Sequence, residues 1–129
     1  MIRDFADRRR HRRFSYQCRS RNKKTTDVDW FEGYIKNISF RGISFESNIN
    51  YSIKDELVIE LYDYELLDDN MVIFHIEVMW SKCISSEDKK YNIGAKFKRY
   101  DSEFQDMLFL IISECMKREK AKIRKQIAV

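Results

Sequence analysis

Two short stretches of this sequence carry the residue types that could bind a charged ligand. The first is a block of arginines that ends just before Phe14 and includes Arg8, Arg9 and Arg13. The second is Asn37-Ile38-Ser39-Phe40-Arg41-Gly42, which lies between two segments of alternating apolar residues. Guanidinium groups are planar donors that match phosphate oxygens and the O6 and N7 atoms of guanine. A planar, anionic, guanine-bearing ligand would need groups of both kinds.

The second stretch offers three different kinds of group. Asn37 can donate and accept hydrogen bonds, and Ser39 adds a hydroxyl. Gly42 permits a positive φ or a close backbone approach that a Cβ would obstruct. On its own, such a stretch is more often only a hydrogen-bonded β-turn, and an arginine block alone can be a solvated tail or a nonspecific RNA-binding arm. The prediction of a site rests on the two stretches occurring together.

The charge of the chain is distributed unevenly along its 129 residues. Residues 1–24 hold ten Lys and Arg against two acidic residues, a net of +8. Residues 25–103 hold nine against sixteen, a net of −7, and residues 104–129 hold six against three, a net of +3. Basic ends on an acidic body indicate a localised anion site rather than a surface for polyanions.

Alternating apolar residues predict six strands, followed by a helix after Asp101 with a capping box formed by Ser102 and Gln105. In the clearest strand, the apolar residues from Val72 to Trp80 at every second position form one core face. Residues 19–29 and 63–70 are predicted loops. The predicted strands cover residues 14–19, 30–37, 42–47, 56–62, 72–80 and 91–98. Six short strands and one helix predict an all-β barrel or sandwich whose terminal helix acts as a lid or partner surface.

Other chemistry finds little support in the sequence. The three cysteines do not have metal-ligand spacing, which predicts reduced thiols in a cytosolic protein. His75 and Glu77 match half of a zinc deaminase signature, but the P-C-x-x-C half is missing. The longest apolar run, Met107 to Ile112, is too short to span a bilayer. We therefore predict a cytoplasmic protein that is not an enzyme, with no metal, no cofactor and no membrane insertion.

The two stretches resemble the motif of the PilZ family, the bacterial receptor domains for cyclic di-GMP. That motif is RxxxR followed by (D/N)xSxxG. The segment Arg9–Arg13 fits the first half, although Arg8 and Arg12 have the same spacing, and Asn37–Gly42 fits the second half. The segment Tyr91–Phe97 also looks like the family's closing G-x-x-F strand. The resemblance covers about residues 5–115, nearly the whole chain.

The resemblance implies a six-stranded antiparallel PilZ-like β-barrel with a C-terminal α-helix and a flexible N-terminal arginine arm. The expected division is an arm over residues 1–13, the barrel with its helix over residues 14–116, and a basic helical tail over residues 117–129. The implied function is a stand-alone receptor that changes the conformation of its arm on binding cyclic di-GMP and signals to a downstream protein.

The family's site residues map onto this sequence as expectations. Arg9 and Arg13 would bind the phosphates and the guanine Hoogsteen edges, Asn37 and Ser39 would contact a guanine, and Gly42 would hold the turn open. Arg8, directly before the motif, would favour two intercalated cyclic di-GMP molecules over one.

Two alternatives stay open: an RNA-binding module that uses the arginine arm, and a ligand-free PilZ-fold interaction module. The expected partner is cyclic di-GMP, and nucleic acid is not expected to bind.

Overall fold

The computed structural model describes residues 12–67, 71–98 and 101–127, without the side chains of residues 126 and 127. Arg8, Arg9 and most of the predicted arm lie outside these residues. Within them the chain forms six strands and two helices, in the order β1 (Phe14–Lys24), β2 (Phe31–Ile38), β3 (Gly42–Ser47), β4 (Glu56–Tyr62), α1 (Tyr64–Leu67), β5 (Val72–Ser85), β6 (Lys90–Phe97) and α2 (Ser102–Ile127).

The six strands form one closed antiparallel barrel in the order β1-β2-β3-β6-β5-β4, with β4 pairing back to β1. Alternate side chains point inward and fill the interior. The largest fully buried ones are Tyr16, Phe45 and Phe74, surrounded by aliphatic residues from all six strands. The predicted fold class, an all-β six-stranded barrel with a C-terminal helix, is confirmed.

Strand β1 is longer than the sequence pattern predicts. It continues to Lys24, whereas a loop was predicted from residue 19 onward. The inward positions of its second half are Ser20 and Asn22, both 0% exposed, and Tyr51 Oη donates a hydrogen bond to Asn22 Oδ1 at 2.5 Å. Because these inward residues are polar, the apolar alternation stops although the strand continues, held by β2 on one side and β4 on the other.

Strand β5 differs from the prediction at Trp80. Val72 to Val78 face the core at every second position as predicted, but an irregularity of the β5–β6 register lies between Val78 and Trp80. A β-bulge of this kind inserts one residue and reverses the alternation. Trp80 consequently lies on the outer face, opposite Gly94, and is 37% exposed. The prediction that Trp80 faces the core was wrong.

Helix α2 covers one end of the core. Its buried face consists of Leu108, Ile111, Ile112 and Cys115. Phe104 packs edge-to-face against Phe74 and Phe97, with ring centroids 5.3 and 5.0 Å away. The predicted capping box was wrong, because the N-cap is Asp101, whose Oδ1 accepts a hydrogen bond from the Phe104 N–H at 2.9 Å. The helix continues without a break into the basic segment after residue 116.

A second helix, α1, interrupts the loop predicted over residues 63–70. Asp63 begins it, since Asp63 Oδ1 accepts a hydrogen bond from the Leu66 N–H at 3.2 Å. The other carboxylate oxygen of Asp63 accepts a hydrogen bond from the Tyr16 hydroxyl at 2.8 Å, which ties the helix to the barrel. Across the described ranges, no helix is long and apolar enough to cross a membrane. No cluster of metal-ligating side chains occurs in that same part of the chain.

Candidate functional site

The pairing of β1 with β2 brings the two predicted ligand-binding stretches together at one rim of the barrel. Phe14 pairs with Ile38, so Arg13, one residue before, and Ser39, one residue after, leave the sheet side by side. Arg13 is exposed. Of the predicted arginines, only Arg13 can be placed, because Arg8 and Arg9 lie outside the described residues.

Asn37 lies on the outer face of the barrel beside this rim. Its cross-strand partners are Ser15 on β1 and Ser44 on β3, and the β2–β3 register shifts between Ile35 and Asn37. The shift allows Ile35 and Ile38 both to be buried while Asn37 remains outside. The structure therefore places Arg13, Asn37 and the turn that follows on one edge of the same surface.

Ser39 shapes the turn between β2 and β3. Its Oγ accepts hydrogen bonds from the backbone N–H groups of Arg41 at 3.1 Å and Gly42 at 3.2 Å. Its own N–H donates to the Gly42 carbonyl oxygen at 2.9 Å. Ser39 is only 7% exposed, so its hydroxyl holds the turn backbone. Its predicted contact with a guanine stays a prediction.

Position 42 requires a glycine because the backbone of β6 approaches it closely. A Cβ at this position would lie 2.2 Å from the Ala95 carbonyl oxygen on β6, far inside contact distance. No glycine among the described residues has a positive φ, so of the two possibilities considered for Gly42 it is the close approach that applies. The Phe97 N–H also donates to the Arg41 carbonyl oxygen at 2.9 Å. The turn is thus fixed against β6 as well as internally.

A row of outer-face residues leads away from the turn across four strands. Asn37 pairs with Ser44, Ser44 pairs with Gly94, and Gly94 pairs with Trp80. With strands about 4.7–4.9 Å apart, the path along the curved sheet from Asn37 to Trp80 is about 14 Å. The two middle residues, Ser44 and Gly94, are small, and we call them the floor between the Asn37 amide and the Trp80 indole.

Gly94 lets the Trp80 indole lie directly against the sheet. A Cβ on Gly94 would be 2.1 Å from Trp80 Cε2 and 2.2 Å from Nε1. The ring remains partly exposed, and an exposed indole is a surface on which a nucleobase can stack. Neither Trp80 nor Gly94 was among the predicted site residues. A glycine within a strand, such as Gly94, can indicate that another group approaches closely. The bulge that moves Trp80 outward is not visible in the sequence.

The lysine nearest the turn is already engaged. Lys96 pairs with Gly42 across β3 and β6, and its Nζ is 3.5 Å from Glu77 Oε2. A hydrogen bond from Lys98 Nζ at 3.1 Å, together with the positive charge of Lys96, holds the pKa of Glu77 below its usual value. Lys96 and Lys98 of this surface therefore share one carboxylate, that of Glu77.

Arg12 is held by the C-terminal helix. Its Nη2 is 2.6 Å from Glu119 Oε2, and its guanidinium lies over the Phe14 ring, 4.7 Å from the centroid. Arg12 therefore points toward α2.

These features define a small closed β-barrel domain with a polar rim site and a C-terminal helix. The PilZ domain family model matches residues 7–113, and the chain belongs to the PilZ domain family. A search of curated proteins gave no match.

Several solved structures have the same fold. The PilZ domain of YcgR from Escherichia coli, solved with c-di-GMP, aligns with a TM-score of 0.71 at 15% identity over 92% of this chain and 98% of that one. The complex of K. pneumonia MrkH with c-di-GMP has a TM-score of 0.64 at 17% identity, over 90% of this chain and 54% of that one. The Bacillus subtilis inhibitor of motility, MotI/DgrA, has a TM-score of 0.66 at 12% identity, over 95% and 54%. The chain thus spans nearly the whole YcgR domain but about half of MrkH and MotI.

Proposed function

We propose that this chain is a receptor domain for cyclic di-GMP. The observation that carries the proposal is the β1–β2 register, which sets Arg13 beside the Ser39 turn on the same rim as Asn37. Family membership supports it, as do the c-di-GMP complexes of the YcgR domain and of MrkH.

The proposed binding mode assigns the rim residues two kinds of task. Arg9 and Arg13 bind the phosphates and the Hoogsteen edges of guanine through their planar donor groups. Asn37 contacts a base edge with its amide, and Trp80 supplies a stacking surface at the far end of the floor. Ser39 and Gly42 keep the turn in the shape that presents Asn37.

Arg8 sets the proposed stoichiometry. A third guanidinium directly before Arg9 offers charge and a planar surface for a second nucleotide, so we propose two intercalated cyclic di-GMP molecules per chain. Titration calorimetry measures this number directly. One ligand per chain in the wild type would contradict the role given to Arg8 while leaving the receptor function intact.

The proposed signal is a change in the arm. Arg12 forms an ion pair with Glu119 of α2, and its neighbour Arg13 would turn toward the ligand. Ordering of the arm over the ligand would therefore weaken or break the ion pair between Arg12 and Glu119. The resulting surface of arm, ligand and α2 would be bound by a downstream protein. On this proposal the chain acts as a cytoplasmic receptor and effector, and not as an enzyme.

Calorimetry with cyclic di-GMP, and with GTP and a short RNA as comparison ligands, tests the assignment. Replacing Arg9 and Arg13 by Ala should abolish most of the affinity for cyclic di-GMP. Arg19→Ala is the matched control, because Arg19 is an exposed guanidinium on β1, the strand that follows Arg13, and its pairing with Glu32 is long, at 3.7 Å. Unchanged binding in the double variant would refute the proposal.

The alternative of an RNA-binding module predicts a different dependence on salt. Affinity for a polyanion falls steeply with ionic strength because many counterions are released, whereas a ligand with two phosphates loses much less. The RNA module would also be indifferent to Asn37→Ala. The net charge of −7 over residues 25–103 argues against it, since most of the barrel surface would repel a long polyanion.

A further inference from the structure

Helix α2 carries an exposed apolar row that the barrel does not use. Phe109, Met116 and Ile123 are 64%, 45% and 54% exposed, although each is a large apolar side chain. They are separated by seven residues, so they align along one side of the helix over about 21 Å. We call these three residues the α2 stripe.

The charges of α2 are divided between its two halves. Residues 102–115 contain three acidic and no basic residues, a net of −3, and residues 116–127 contain six basic and one acidic residue, a net of +5. The α2 stripe crosses both halves, with Phe109 in the acidic half and Ile123 in the basic half. Whatever covers the stripe must therefore complement a negative surface at one end and a positive surface at the other.

We propose that the α2 stripe is a homodimer interface in which α2 packs antiparallel against α2 of a second copy. A two-fold axis at Met116 sets the two Met116 side chains against each other, and Phe109 of each copy against Ile123 of the other. The acidic half of each helix then faces the basic half of its partner. In this arrangement Asp106 of one copy lies near Arg124 of the other, since they occupy the same side of the helix and lie about 15 and about 12 Å from the axis along it.

A second copy fits the stripe better than the other occupants. An anionic membrane surface would attract the basic half but repel the acidic residues on either side of Phe109. An acidic partner protein would have the same difficulty and would leave the first third of the stripe uncovered. Only a partner with opposite polarity along its length matches the whole stripe, and an antiparallel copy has that polarity by symmetry.

Sedimentation equilibrium of the full chain over a wide range of concentrations tests the interface. Met116→Glu places two like charges at the axis and should weaken dimerisation by at least about tenfold. Ala121→Glu is the matched control, since it makes the same charge change at an exposed position away from the stripe, and it should leave dimerisation unchanged. Circular dichroism and cyclic di-GMP titration check that both variants stay folded.

A charge exchange tests the antiparallel register. Asp106→Arg and Arg124→Asp should each weaken the dimer, and the double variant should restore it because the opposite charges face each other again. A wild type that remains monomeric throughout would overturn the proposal. So would a dimer that is indifferent to Met116→Glu, a double variant weaker than either single one, or stripe-dependent binding of the monomer to anionic lipid vesicles.

Discussion

The contact between Gly94 and Trp80 predicts that Gly94→Ala destabilises the wild-type protein but stabilises a variant that lacks the Trp80 indole. In the wild type, Gly94→Ala would put a Cβ within 2.5 Å of three atoms of the indole ring. The ring would have to move by about 1 Å to reach ordinary contact distance. Overpacking of this kind lowers the free energy of unfolding by about 1–3 kcal/mol. In a Trp80→Ala background the three nearest atoms are gone. Alanine is then favoured over glycine in a strand by roughly 0.5–1 kcal/mol, so the same substitution should stabilise the protein.

Urea unfolding of the four chains, followed by circular dichroism, measures this double-mutant cycle. We expect a coupling free energy of about 1.5–4 kcal/mol between positions 94 and 80. The Trp30→Ala background is the control, because Trp30 contacts Arg21 elsewhere on the barrel and should leave the cost of Gly94→Ala unchanged. An equal cost in the wild type and in Trp80→Ala would refute the claim that the indole is what requires a glycine.

Gly42→Ala should cost about 3 kcal/mol or more in urea unfolding, because its Cβ would collide with a backbone oxygen that has no rotamer to move into; a cost below about 1 kcal/mol would contradict this. Ser39→Ala should cost roughly 1–3 kcal/mol in the same assay, since two backbone N–H groups lose their acceptor, and a neutral effect would exclude that role. A thiol reagent at mildly alkaline pH should modify Cys83 rapidly in the folded protein and the two buried cysteines only after unfolding; rapid reaction of a second thiol would show that the barrel opens. Burial raises the pKa of Cys18 from 9.0 to about 11, so the unfolded chain loses this proton first and Cys18 makes folding stability fall as pH rises from 9 toward 11. Replacing Cys18 by Ala should reduce that slope.

The sequence predicted the parts of the fold that follow from side-chain alternation. The two strands on either side of the Ser39 turn and the strand at residues 56–62 have one apolar face, so their type and approximate bounds could be read directly. Strand β1 extends further than predicted because Ser20 and Asn22 occupy inward positions, where a polar residue usually signals a loop. The helix begins as predicted, but Asp101 and Ser102 are both good N-cap residues, and only the coordinates distinguish them.

The residues of the candidate site could be proposed from the sequence, but their arrangement could not. Arg13 and Asn37 were identified from spacing, but their proximity depends on the register between β1 and β2, which is a long-range property. Trp80 was assigned to the core because it continues the period of its strand. A bulge of one residue reversed its direction, and Gly94 on the neighbouring strand leaves the space that the indole occupies. Contacts between distant parts of the chain, such as this one, leave no local pattern.

The residues of the second motif stretch have different physical roles, and this has a consequence for how their replacement would appear. Ser39 and Gly42 fix the turn through backbone contacts and carry no charge, so on the proposed function their loss should lower affinity for cyclic di-GMP by a similar factor at every ionic strength. Arg13 acts through its charge, so its loss should also flatten the salt dependence of binding. Measuring affinity at two salt concentrations therefore separates residues that shape the site from those that attract the ligand. Asn37 is uncharged, and the proposal places it against the ligand. Its replacement by Ala should therefore behave like that of Ser39 and Gly42 in salt, but should leave the stability of the fold unchanged.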